Sequence, residues 1–132
     1  MRHLTIVVTF VVALLCIAGC SGNVGLSGRV SFPDGSPLTV GEVYFETDTF
    51  LAHGSIGKDG RYVLGSLGEK DGLPPGTYRV SIVGAMEGES RETARYLIDE
   101  KYKDGRTSGL TCTVSGSTTF DITVTKPEVK KK

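Results

Sequence analysis

Tryptophan is absent from this 132-residue sequence, and the other aromatics are few, at five tyrosines and five phenylalanines. Neither sign of charge is in excess, with 15 basic residues against 15 acidic. No basic face is encoded that would follow a phosphate backbone, so nucleic acid is not an expected partner. Histidine is scarce: His3 lies at the extreme N-terminus, leaving His53 as the one imidazole in the body of the chain. Sustained helical periodicity is missing after residue 20, which excludes a helical bundle. Acid–base and metal chemistry therefore have little to work with.

Glycine, at 18 residues, and short alternating runs are what the sequence does hold. The chain is long enough for one domain with a core and too short for two. The stretch from Ser55 to Val83 reads as three short strands separated by two loops. Asp59-Gly60 predicts a tight hairpin reversal, since both residues tolerate positive φ. Pro74-Pro75-Gly76 re-aims the chain. Tyr78, Val80 and Ile82 then share one face and Arg79 and Ser81 the other, the signature of a strand with one buried side.

Residues 1–19 read as a targeting segment. Met1-Arg2-His3 is a short polar start, and Leu4 to Ile17 is almost wholly apolar, closer to a signal-peptide core than to a membrane span of about 20 residues. The run ends in Ile17-Ala18-Gly19-Cys20, which resembles the lipobox of bacterial lipoproteins. That resemblance implies cleavage before Cys20 and a diacylglycerol on its thiol, with residues 20–25 as a spacer. An uncleaved anchor helix, or secretion with cleavage near Ala18, are the alternatives. Ser21 after the cysteine, by the sorting habit of enteric bacteria, implies the outer membrane, on its periplasmic or surface face.

Residues 26–125 are expected to form the folded domain. Leu26, Val30 and Phe32 share a face, with Gly28 between them; Val43 and Phe45 are expected buried, with Tyr44 facing outward or covering an edge. A weaker strand covers Phe50 to Ile56. Leu110, Cys112 and Val114 alternate with Thr111 and Thr113, and Phe120, Ile122 and Val124 form a last strand. The count is about seven strands, which predicts an all-β antiparallel sandwich. Residues 84–107 break the pattern with a charged excursion, in which Glu92 to Tyr96 suggests a helical turn and Tyr96, Ile98 and Tyr102 are expected to pin the segment down. Residues 126–132 read as a charged tail.

Gly28 to Leu38, Gly41 to Phe45, Asp59 to Gly65 and Leu73 to Val80, in that order and spacing, resemble the carboxypeptidase-regulatory-like, or transthyretin-like (prealbumin-like), β-sandwich domains. Glu100-Lys101-Tyr102 and Thr107 to Thr111 are similar to small lipoproteins of this type in planctomycetes, except that Asp99 stands where such proteins commonly carry proline. The resemblance implies a non-catalytic accessory module. The hydrolases of that fold need several histidines and a Tyr-Arg-Gly-Ser ending, and this chain has neither.

No enzyme activity, cofactor or metal is expected. The Asp-Gly pairs at 34, 59, 71 and 104 are explained as turns, without the alternating carboxylates of a calcium loop. Cys112, in phase with apolar neighbours, reads as a buried free thiol. The expected function is a lipid-anchored cell-envelope module with a structural or protein-binding role. The alternative is a carbohydrate- or small-ligand-binding lipoprotein using the excursion. Its candidate ligand residues are Arg95, Tyr96 and Tyr102, with Tyr44 as a third member of an aromatic platform. The expected partners are the membrane, through Cys20, and an envelope protein or glycan.

Overall fold

The computed structural model describes residues 22–65 and 71–128. Cys16, Cys20, the rest of the expected targeting segment and the last lysines lie outside the described residues. The described chain is all-β and forms a two-layer sandwich, as the alternation predicts. One layer is antiparallel, ordered β3 (Leu51–Ser55), β2 (Glu42–Glu46), β5 (Gly76–Val83), β8 (Leu110–Val114). The other is built on β1 (Leu26–Ser31), which lies between β4 (Arg61–Val63) and two short pieces, β9 (Thr118–Thr119) and β10 (Ile122–Thr123). The strands β6 (Met86–Glu87) and β7 (Arg95–Tyr96) form a separate hairpin in the excursion. Among the described residues ten strands thus stand where about seven were expected, because several are only two residues long.

The inner faces follow the period-two reading. Val43, Phe45, Val80, Leu64 and Val124 have no solvent exposure, and Tyr62, Tyr78 and Ile82 have almost none. Phe45 meets the Phe120 ring edge-on at 5.8 Å, joining the two layers. Tyr62 donates its hydroxyl to the Phe120 carbonyl across Gly28. A Cβ at Gly28 would strike that carbonyl and sit 2.9 Å from the Tyr62 hydroxyl, so no larger residue fits beneath the clasp.

One sequence expectation holds here and two need correction. Asp59-Gly60 does reverse the chain, with Gly57 N–H donating to the Arg61 carbonyl at 2.8 Å. The turn closes a short hairpin, with His53 and Gly65 bridged antiparallel across it, but the main partners of its arms differ: β3 pairs with β2 and β4 with β1, so the chain changes layer there. The first correction is that the sandwich is not wholly antiparallel. After β8 the chain crosses to the other layer and runs alongside β1 in the same direction, so β9 and β10 pair with it in parallel.

The second correction concerns the excursion. Glu92 to Tyr96 does not form a helical turn, because Arg95 and Tyr96 pair with Glu87 and Met86 instead. The helical turn comes later, as a 3-10 helix over Glu100–Lys103. Asp99 caps it, its carboxylate accepting from Lys101 N–H at 3.0 Å. Asp99 thus has a local role. Ile98 and Tyr102 pin the segment as expected, but Tyr96 does not, being 38% exposed.

Candidate functional site

The outward face of the β3-β2-β5-β8 sheet would be open to water if the sandwich ended at its two layers. Strand register arranges that face in rows: Leu51, Glu46 and Arg79 in one, His53, Tyr44 and Ser81 in the next, Ser55, Glu42 and Val83 in the third. The excursion covers part of it. Asp104 accepts from Arg106 N–H at 2.8 Å, Thr107 donates to the Lys101 carbonyl at 2.7 Å, and Ser108 donates its hydroxyl to the Val80 carbonyl. These contacts fold the segment after the 3-10 helix back onto β5.

Gly105 makes the close approach. A Cβ there would lie 2.9 Å from Arg79 Cβ and 2.6 Å from the Glu46 carboxylate. With only hydrogen at that position, the loop backbone rests on the sheet. Ser81, read from sequence as solvent-facing, is therefore buried.

Between sheet and loop runs a groove of about 570 Å³. The sheet supplies Tyr44, Glu46, Leu51, Arg79 and Ser81, and the loop supplies Lys103, Asp104 and Arg106. Arg79 donates to Asp48 at 2.9 Å, a hydrogen bond that pushes its pKa up, while its Nε is buried without a hydrogen-bond partner among the described residues. Tyr44 stacks on His53 with ring centroids 5.5 Å apart and donates to Glu42 at 2.8 Å. That hydrogen bond pushes the Tyr44 phenol up, with burial and the Glu42 charge adding to it. Glu42 also lies 3.4 Å from the Ser55 hydroxyl and 3.7 Å from His53 Nδ1. Among the described residues, the guanidinium of Arg106 makes no hydrogen bond or ion pair.

A second groove, of about 620 Å³, lies where the excursion meets the end of the described chain, lined by Arg95, Tyr96, Asp99, Glu100, Pro127 and Glu128. Two of the residues singled out from sequence line it. Arg95 is held by Glu87, and the Tyr96 ring carries the Lys103 ammonium 3.3 Å from its centroid. Hydrogen bonding to the Tyr96 side chain, with the Glu100 charge adding less, holds the Lys103 pKa up.

Tyr102 lines neither groove; it is buried, its hydroxyl 3.3 Å from the Thr125 hydroxyl and accepting from Thr125 N–H at 3.2 Å. Tyr44, Tyr96 and Tyr102 therefore do not form one aromatic platform. Cys112 is buried and free, and desolvation pushes its thiol pKa up.

No family model and no curated protein matches this sequence. Among solved structures, a DUF3823 family protein from Bacteroides ovatus ATCC 8483 is similar at 23% identity with a TM-score of 0.47, covering 79% of this chain and 45% of that one. This chain thus spans less than half the length of that protein.

Glu46, Arg79, Leu51 and Arg106 were not singled out by sequence reasoning. The usable signal was Ser81: a small hydroxyl residue between Arg79 and Val83 suits a face that something else covers.

Proposed function

We propose that this protein is a lipid-anchored, non-enzymatic module of the cell envelope whose work is binding, with the groove between sheet and excursion as the seat of its partner. The observation that carries this reading is the groove itself. It combines a half-buried tyrosine with cationic and anionic side chains, among them Arg106, whose guanidinium has no partner among the described residues. Pockets of this volume with a few convergent polar groups are common binding seats. A binding rather than catalytic role is supported by how the reactive groups are placed. Cys112 is buried with its pKa raised, and His53 stands on the exposed rim beside Glu42. The anchor rests on the lipobox-like Ile17-Ala18-Gly19-Cys20.

A glycan is the second reading, favoured by Tyr44 beside Glu46 and Arg79, since sugar rings stack on aromatic faces while their hydroxyls take charged partners. The test is crosslinking and purification of the full chain from its own envelope, beside a Tyr44→Ala/Arg106→Ala variant. Recovery of one protein or glycan by the wild type, and its loss from the variant, is the expected result. Equal recovery by both would remove the groove from the reading.

A further inference from the structure

A β-sandwich must do something with the backbone groups along its sheet edges, because an unpaired edge is a template for another strand. Most edges here are managed. β3 is stitched across to the other layer, where His53 N–H donates to the Gly65 carbonyl and Gly65 N–H to the His53 carbonyl, each at 2.9 Å. β4 is three residues long, and β9 and β10 are two each, interrupted by Phe120-Asp121.

β8 is different. It ends the sheet, runs five residues in unbroken register against β5 from Val80↔Leu110 to Gly76↔Val114, and has no second strand partner among the described residues. Its sequence, Leu110-Thr111-Cys112-Thr113-Val114, carries none of the devices that blunt an edge: no charge, no proline, no bulge.

That sequence is also nearly palindromic. Reversed about Cys112, Leu110 falls opposite Val114 and Thr111 opposite Thr113. Leu110, Cys112 and Val114 turn towards the core, while Thr111 and Thr113 are exposed. We propose that β8 pairs antiparallel with β8 of a second copy about a twofold axis at Cys112, joining two four-stranded sheets into one of eight. Each cross-strand pair then matches like with like, aliphatic residues flanking a Cys112–Cys112 pair on the inner face and threonine on the outer, and no pair brings two like charges together. A twofold axis requires such self-complementarity, which an edge built for an unrelated strand would not need. This inference does not depend on the groove or on the anchor.

Two differently tagged copies of the full chain, co-expressed and extracted in detergent, test it. The wild-type copies are expected to co-purify. Thr111→Glu/Thr113→Glu on both copies places glutamate opposite glutamate twice and should reduce co-purification roughly tenfold, as should Thr111→Lys/Thr113→Lys on both. Mixing the Glu variant with the Lys variant should restore it, which also shows that both variants fold. The single Thr111→Glu change guards against misfolding, because its neighbour on β5 is Arg79, and circular dichroism should match the wild type. No exchange between wild-type copies, or exchange that persists in the all-Glu pair, overturns the proposal. So does failure of the Glu and Lys variants to pair when circular dichroism shows both folded.

Discussion

Ile82 illustrates what a single core side chain does here: it is 1% exposed and sits on the inner face of β5 beside Val80 and Tyr78. Ile82→Ala should cost about 2–5 kcal/mol, because the packed layers cannot collapse fully into the cavity. A chemical-denaturation curve is the measurement, and a loss below about 0.5 kcal/mol would place Ile82 outside the core. Cys112 should resist thiol alkylation in the folded protein and react only on unfolding, since desolvation raises its pKa and leaves little thiolate. Rapid labelling of the native protein would contradict this. Tyr62 gives a pH dependence. Burial, with smaller contributions from Cys112 and Asp121, pushes its phenol far above the ordinary 10.0. Above that pH the unfolded chain has lost a proton that the folded chain keeps, so stability is fully present below pH 10.0 and falls as pH rises beyond it. Tyr62→Phe should be less stable near neutrality, having lost the hydrogen bond to Phe120, yet show a shallower decline in alkali. Denaturation midpoints followed from neutral pH into alkali would show both effects.

Among the elements, the excursion matters most, because it turns a bare sheet face into a groove. Gly105→Val should lift the loop from Arg79 and Glu46 at a cost of about 1–3 kcal/mol while the sandwich remains folded. Hydrogen exchange should rise in residues 99–108, with protection in β2 and β5 retained. The strands themselves were legible in the sequence: Val43, Phe45, Tyr78, Val80 and Ile82 are buried because a pleated strand with one packed side must alternate. What was not legible depends on partners distant in sequence. Asp59-Gly60 announces a reversal by its own chemistry, but the strand that β4 joins is decided at β1, some 30 residues earlier. The burial of Ser81 is likewise decided by the loop around Gly105. Tyr96 looked like an anchor because it neighbours Leu97 and Ile98. Its pairing with Met86 turns the ring outward, where Lys103 covers it.

For the whole molecule, the proposed anchor makes a direct prediction. Cys20→Ser should block processing and leave the precursor with its signal segment, while the wild type should incorporate palmitate and begin at a modified Cys20. Mass spectrometry of the N-terminus decides it; a chain beginning at an unmodified residue after Cys20 would mean ordinary secretion, with the sandwich unaffected. The parallel pairing of β1 with β9 and β10 has a consequence of another kind. Arg29 N–H donates to the Asp121 carboxylate, a contact spanning 92 residues, so the first strand is completed by nearly the last. A chain emerging N-terminus first, from a ribosome or through a membrane pore, would hold β1 with one side unclosed until almost the entire domain had appeared. Contacts so distant in sequence set a slow folding rate, on the order of milliseconds to seconds for β topologies. During that interval the nascent chain would be open to chaperones and proteases, and a product stopped short of Thr123 would lack the strand that closes its fold.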